Sequence, residues 1–305
     1  MPHRPTWFKD GETFISFADT CGINKDGNTL FEVDAATGKR TEQVNDRLAD
    51  DIDHLLAGRP AATGRWLAQE DLTIGAPRYY DTRSVAALED LLESDDLQGF
   101  TTRTIGSLIG EGLIQRRAGH GSPSADARQG DIPYIKVSDV RAGQININPT
   151  NLVSDVVARK FWRGDDSGLK AFDLVTPIRA SKNIGEFAVL MPGQERIVLT
   201  KEMLVLRSAP DAPADNFYLL WALSLKVVRQ QWNRVVLMQT NREDVGERYL
   251  EIQIPWPSDA ASAAAVSTAF RTYYAGMDDL RRAFLRQVAK ESRHHVFLGI
   301  DSDTP

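Results

Sequence analysis

Behind Pro255-Trp256-Pro257, the residues Val266, Phe270, Tyr273, Met277, Leu280, Phe284 and Val288 follow one another at steps of 4, 3, 4, 3, 4 and 4. Steps that average near 3.5 keep one apolar stripe on one side of an α-helix for many turns, and water does not tolerate such a stripe uncovered. Ser258 or Asp259 can cap the first turn by accepting from its free N–H groups. The spacing therefore predicts one long helix over residues 258–298, with a tail at 299–305. Two covers fit the stripe: a partner helix, from a homodimer or a heterologous chain, or the globular part of the same chain.

Ahead of this helix, residues 99–257 read as short strands cut by Gly, Pro and Asp. Ile132–Val137, Gln144–Ile147, Leu174–Ile178, Phe187–Leu190, Ile197–Leu199, Met203–Leu206 and Tyr249–Ile254 carry the β-branched content of strands. A short helix is expected at Thr104–Ile109 and a longer one at Asp215–Trp232, with Phe217, Leu220, Trp221 and Leu225 on one face. The fold class is α+β: a mostly antiparallel, β-rich domain with appended helices, followed by the long coiled-coil-like helix. Residues 1–98 form a separate small region. Turns at Lys25–Asn28 and Ala36–Lys39 around Leu30–Val33 give a hairpin. Val44, Leu48, Ile52, Leu55 and Leu56 give a helix ending at Gly58, and a second helix falls near Ser84–Leu92.

Charge separates these regions. The chain carries 36 Lys and Arg against 42 Asp and Glu. Residues 1–99 hold 10 against 19, whereas residues 100–250 hold 20 against 16. An acidic third joined to a basic middle fits a chain whose middle meets nucleic acid and whose first third meets protein. Apolar runs are too short to cross a membrane, and the start lacks a signal-peptide layout, so a cytoplasmic location without membrane contact is expected.

Chemistry-bearing motifs are sparse. The single Cys21 and five histidines form no array at zinc spacing, so no structural metal is expected. Asp50, Asp51, Asp53 and His54 lie on the helix that carries the apolar stripe, and read as its solvated face. His294-His295 suits a positive charge near a helix C-terminus. Amino-methylation of adenine needs a Gly-rich loop and an Asn/Asp-Pro-Pro-aromatic loop around an extruded base. The nearest string, Asn148-Pro149-Thr150-Asn151, lacks the aromatic residue and reads as a turn. No catalytic residues are assigned, and no metal-dependent nuclease core is visible.

Several landmarks in residues 99–257, in order, resemble the target-recognition domain of type I restriction-modification specificity subunits. They are Thr104–Ile109; Gly130-Asp131-Ile132-Pro133-Tyr134-Ile135-Lys136 with Ser138-Asp139-Val140 and Gly143-Gln144-Ile145; Leu169–Ile178 with Ile184-Gly185-Glu186; Met238-Gln239-Thr240-Asn241; and Leu250–Pro257. Met238 stands where that family often has Gly before the Gln. The long helix is similar to the spacer helices of these subunits, and Phe14–Lys39 resembles the tail of adenine-N6 DNA methyltransferases.

The resemblance implies a half-sized, non-catalytic specificity subunit of a restriction-modification or related DNA-modification defence system. Its partners would be double-stranded DNA, a separate adenine methyltransferase subunit and a restriction nuclease subunit. The chain itself would hold no cofactor, with S-adenosylmethionine bound by the methyltransferase. The competing implication is an assembly or adaptor subunit of a methyltransferase complex that binds no DNA. In the first case, loops at 115–136, 179–186 and 234–242 face the duplex. Arg pairs with guanine edges and Asn or Gln with adenine edges, so Arg179, Lys182, Asn183, Gln239, Asn241 and Arg242 are the base-contact candidates. Arg116, Arg117, His120, Arg128 and Lys136 are the phosphate candidates.

Overall fold

Leu174-Val175-Thr176-Pro177 and Met203-Leu204-Val205-Leu206 show no polar alternation, and every one of these residues is buried. Strands of this kind belong where both faces of a sheet are covered. The computed structural model describes residues 4–94, 97–148, 150–239 and 242–292. The chain divides into two units, Met1–Thr82 and Arg83–Pro305.

In the first unit, β1 (Glu12–Ser16), β2 (Phe31–Val33), β3 (Arg40–Val44), α1 (Arg47–Leu56) and β4 (Gly64–Ala68) follow in order. β2 and β3 form the expected hairpin, and β1 pairs antiparallel with β4 over five residues. α1 begins at Arg47, because residues 40–44 are taken into the hairpin and Asp46 caps the helix by accepting from Ala49 N at 2.9 Å. The acidic face of α1 is not wholly solvated, which corrects the expectation for Asp51. Its carboxylate is buried and accepts from Ser16 Oγ at 2.6 Å and Thr63 Oγ1 at 2.8 Å. Two hydroxyls from two neighbouring segments thus fix the inward side of the helix. Leu48, Ile52 and Leu56, with Val44 just before them, are left exposed.

The second unit continues with α2 (Arg83–Leu92), β5 (Thr101–Thr104), α3 (Ile105–Gly110), β6 (Ile114–Ala118), β7 (Ile132–Ile135), β8 (Val140–Arg141), β9 (Gln144–Ile145), β10 (Leu152–Val153) and α4 (Asp155–Trp162). Then come β11 (Leu174–Pro177), β12 (Ala188–Val189), β13 (Val198–Leu199), β14 (Met203–Ser208), α5 (Asn216–Ser224), α6 (Lys226–Val235), β15 (Leu237–Gln239), β16 (Arg242–Asp244), β17 (Gln253–Trp256) and α7 (Ala260–Ser292). The central sheet has the order β6-β14-β11-β12-β9-β8, and a smaller one the order β10-β7-β13. Most pairings are antiparallel; β12 with β9 and β13 with β7 are parallel. Alternate residues of β14 serve two cores. Leu204 and Leu206 join the cluster under α3, α5 and α6, while Met203 and Val205 join one with Ile135, Ile197 and Leu199. Period-two side-chain alternation thus uses every residue from Met203 to Leu206.

Four expectations are corrected. The boundary lies at Thr82/Arg83 rather than after residue 98, because Leu88 of α2 is fully buried in the core of the second unit. Asp215–Trp232 is two helices broken at Leu225, whose ψ of 134° is extended. Arg116 and Arg117 sit on strand β6 rather than in a loop, since β6 pairs with β14 over five residues. Residues 248–251 form a short 3-10 turn, and the closing strand starts at Gln253.

The stripe on α7 is only partly covered by the chain's own core. Asp259 caps the helix, its Oδ1 accepting from Ser262 N at 2.8 Å. Val266, Phe270 and Met277 pack against the chain's own core beside buried Ala263, Ser267 and Tyr274. Tyr273, Leu280 and Phe284 stay exposed at 56%, 74% and 54%, and Val288 is half-buried. No described helix is long and apolar enough to cross a membrane.

Candidate nucleic-acid interface

Five separate stretches of chain converge at one end of the central sheet. β11 ends there, and Ile178 N donates to Glu202 O at 3.0 Å on one side while its carbonyl accepts from Val245 N at 3.0 Å on the other. Residues 178–180 are therefore held between the β13–β14 turn and the hairpin of β15 and β16. Ala180 N donates to Glu243 O at 2.8 Å, and Arg179 and Asp244 form an isolated bridge. On the far side, Gly119 N donates to Met203 O and His120 N to Leu199 O, each at 2.9 Å. Thr200 N donates to Ile135 O at 2.9 Å, which brings the end of β7 and Lys136 to the same edge.

The scaffold behind these stretches is closely packed and hydrogen-bonded. Val245 is fully buried, and Arg248 fastens the foot of the hairpin by donating Nη2 to Asp244 O at 2.7 Å and Nε to Val235 O at 3.0 Å. Loop 179–186 is pressed onto α6 at Gly185, whose φ is +77°. A Cβ there would stand 2.5 Å from the Trp232 ring, so only glycine allows both the conformation and the approach.

Of the base-contact candidates, Arg179, Lys182 and Arg242 are exposed on this edge. The Arg179 side chain is 49% exposed and forms an ion pair with Asp244, its Nε lying 3.0 Å from Oδ2. Asn183 is removed from the set: it is buried, and its Nδ2 donates to Val140 O at 2.8 Å. It shapes the loop and presents no amide edge. Gln239 is the last residue of β15, opposite Arg242. Asn241 and the Gln239 side chain lie outside the described residues.

The phosphate candidates separate further. His120 is removed, because both ring nitrogens are engaged: Nε2 donates to Ser167 O at 3.0 Å and Nδ1 accepts from Leu199 N at 2.9 Å. Burial holds its imidazole below the usual histidine range, so it stays neutral near pH 7. Arg128 is also internal to its own loop, donating Nε and Nη2 to Pro123 O at 3.2 and 3.0 Å and lying 5.3 Å over the Tyr134 ring. Arg116 is paired with Glu247 and donates to Tyr249 Oη at 2.6 Å, contacts that raise its pKa. Arg117, on the other face of β6, donates to Gly168 O and ties the strand to the turn at 165–168. Lys136 is half-buried at the end of β7.

Lys201 belongs to the edge and escapes a reading by residue type. It is exposed in the turn between β13 and β14, next to the Glu202 carbonyl that receives Ile178 N. The polar triplet Thr200-Lys201-Glu202 between two apolar runs is the only sequence signal for it.

A cavity of about 540 Å3 lies at the opposite end of the sheet and is lined by Lys170, Arg207, Phe217 and Arg271 among others. Arg207 is already paired with Asp173 and Arg271 with Asp215. Among the described residues no group of His, Cys, Asp and Glu could hold a metal ion. The exposed edge offers cations at a protein surface, an arrangement suited to holding an extended polyanion.

No family model and no curated protein matches the chain. Solved structures similar to it include the type I restriction-modification system S subunit from M. genitalium, at 14% identity over 64% of this chain and 42% of that one, with a TM-score of 0.38. The HsdS subunit from Thermoanaerobacter tengcongensis is similar at 14% identity over 71% and 48%, with a TM-score of 0.38. A third, from work on complex assembly and conformational transition of the type I R-M system, is similar at 15% identity over 76% and 58%, with a TM-score of 0.39. The chain spans about half the length of these structures.

Proposed function

We propose that the chain is a non-catalytic, sequence-reading DNA specificity subunit of a restriction-modification or related DNA-modification system. The observation that carries the reading is the meeting, on one edge, of Arg179, Lys182, Lys201 and Arg242 from three separate segments. Arginine on such an edge can match guanine in the major groove, and lysine can neutralise flanking phosphates. The ordered landmarks between Thr104 and Pro257 support the same reading.

Chemistry would come from other chains in this proposal. An adenine methyltransferase subunit would hold S-adenosylmethionine, and a nuclease subunit would cut where the system restricts. Two exposed apolar faces are available for such contacts: Leu48, Ile52 and Leu56 on α1, and Tyr273, Leu280 and Phe284 on α7. A second α7 or a heterologous helix would cover the latter, since apolar side chains three and four apart on a helix call for a partner stripe.

The test is a comparison of adenine methylation across the genome of the source cell with that of a strain lacking this chain. Loss of methylation at one sequence motif supports the proposal. An unchanged pattern, with the chain still co-purifying with a methyltransferase, favours the adaptor reading.

A further inference from the structure

We infer that Asp244 is a positioning residue that turns Arg179 into a reader of guanine; the inference rests on the DNA-reading proposal and specifies one base of its target. Asp244 is only 14% exposed on its side chain, and both its oxygens are committed. Oδ1 accepts from Gly246 N at 2.7 Å, which fixes the carboxylate in the turn after β16. Oδ2 lies 3.0 Å from Arg179 Nε in an ion pair.

The choice of Nε decides what Arg179 can do. A guanidinium held at Nε keeps its two terminal nitrogens as a free, planar fork on the outer edge. That fork matches the paired acceptors O6 and N7 of guanine, a pattern that no other base presents in the major groove. The backbone beside it is equally constrained. Ala180 has φ +54°, a conformation unfavourable for a residue with a Cβ, and its N–H is bound to Glu243 O. Arg179 is thus fixed from its backbone and from its guanidinium, with the charge of Asp244 shielded from the duplex by the arginine itself. An unbuttressed arginine would have to lose its rotamer freedom on binding.

The experiment uses the full chain as wild type, Arg179→Ala, Asp244→Asn and Asp244→Ser. Each is given duplexes carrying every base at each position of the motif that the wild type enriches from a randomised pool. An asparagine cannot accept at both of its terminal atoms, and a serine is too short to reach Arg179 while still able to accept from Gly246 N–H. If either variant does not fold, the other carries the test, with thermal melting as the check. Expected is a loss of about 10-fold in discrimination for one G·C pair in Arg179→Ala and in both Asp244 variants, with other positions unchanged. Replacing that guanine by 7-deazaguanine, which lacks the N7 acceptor, should weaken wild type by a similar factor and leave the variants unaffected.

If the Asp244 variants keep the full preference and the full 7-deazaguanine penalty, the positioning role is refuted while DNA reading stands. A loss spread evenly over all positions also overturns it, since that is the signature of a merely structural carboxylate. A wild type that enriches no sequence at all refutes the underlying proposal instead.

Discussion

Arg207 on β14 donates Nε and Nη2 to the two oxygens of Asp173, each at 2.6 Å, and Asp173 is wholly buried. Asp173 Oδ2 also accepts from Lys170 N at 2.9 Å, so the pair pins the turn before β11 to the neighbouring strand. Removing one partner leaves the other charge buried. Arg207→Ala should lower stability by about 3–5 kcal/mol. Chemical denaturation of the two proteins measures it, and a change under 1 kcal/mol, within the ~0–1 kcal/mol of a surface pair, would mean the pair is solvated.

Gln231 on α6 is fully buried and holds both backbone groups of Gln253, donating Nε2 to its carbonyl and accepting its N–H at Oε1, each at 2.8 Å. β5 pairs with the same strand, so the glutamine stands in for a missing neighbour strand on β17. Gln231→Leu keeps the bulk and strands two polar groups. The expected cost is about 2 kcal/mol or more, together with faster hydrogen exchange at Gln253.

Burial lowers the His120 pKa, so between its folded value and the unfolded value near 6.5 the unfolded chain binds more protons. Its contribution to stability is complete above that unfolded value and is lost as pH falls through the folded one. Denaturation midpoints should drop on that acid side, and His120→Gln should flatten this component. A His120 resonance titrating above 6.5 would contradict the buried, neutral assignment.

Lys182→Ala and Lys201→Ala should each weaken binding to every duplex and reduce the salt slope by about one unit. Replacing His120, whose ring faces inward, should leave the slope unchanged. Equal slopes in all three proteins would remove these lysines from the phosphate contacts.

On α7, Phe284→Asp should abolish association with the helical partner while leaving the melting of the second unit unchanged, because Phe284 is exposed. Val266→Asp, one of the stripe residues that pack on the core, should instead lower melting. Sedimentation of the full chain with its partner reads the first effect. An unaltered mass for Phe284→Asp would deny the stripe its role.

Much of the fold was legible where local chemistry and packing agree. The turns at 25–28 and 36–39, the short helix at 105–110 and the apolar runs of β11 and β14 can be read from residue type and punctuation. β6 was not legible, since Gln115-Arg116-Arg117 reads as a polar loop until β14 is known to pair with it. The α7 spacing marks a stripe, but only tertiary contact reveals that Val266, Phe270 and Met277 turn inward while Leu280 and Phe284 do not. For the candidate edge, residue type identified Arg179, Lys182 and Arg242, yet it could not tell them from Asn183, His120 and Arg128. Those three also carry hydrogen-bonding groups, and the fold spends them internally on Val140, Ser167, Leu199 and Pro123.

The most direct measurement is selection by the purified full chain, with its co-purifying subunits, from a pool of randomised duplexes at physiological salt. Enrichment of a single motif is expected, lost when Arg179 and Arg242 are both replaced by alanine. Recovery of the pool with its starting composition would contradict it.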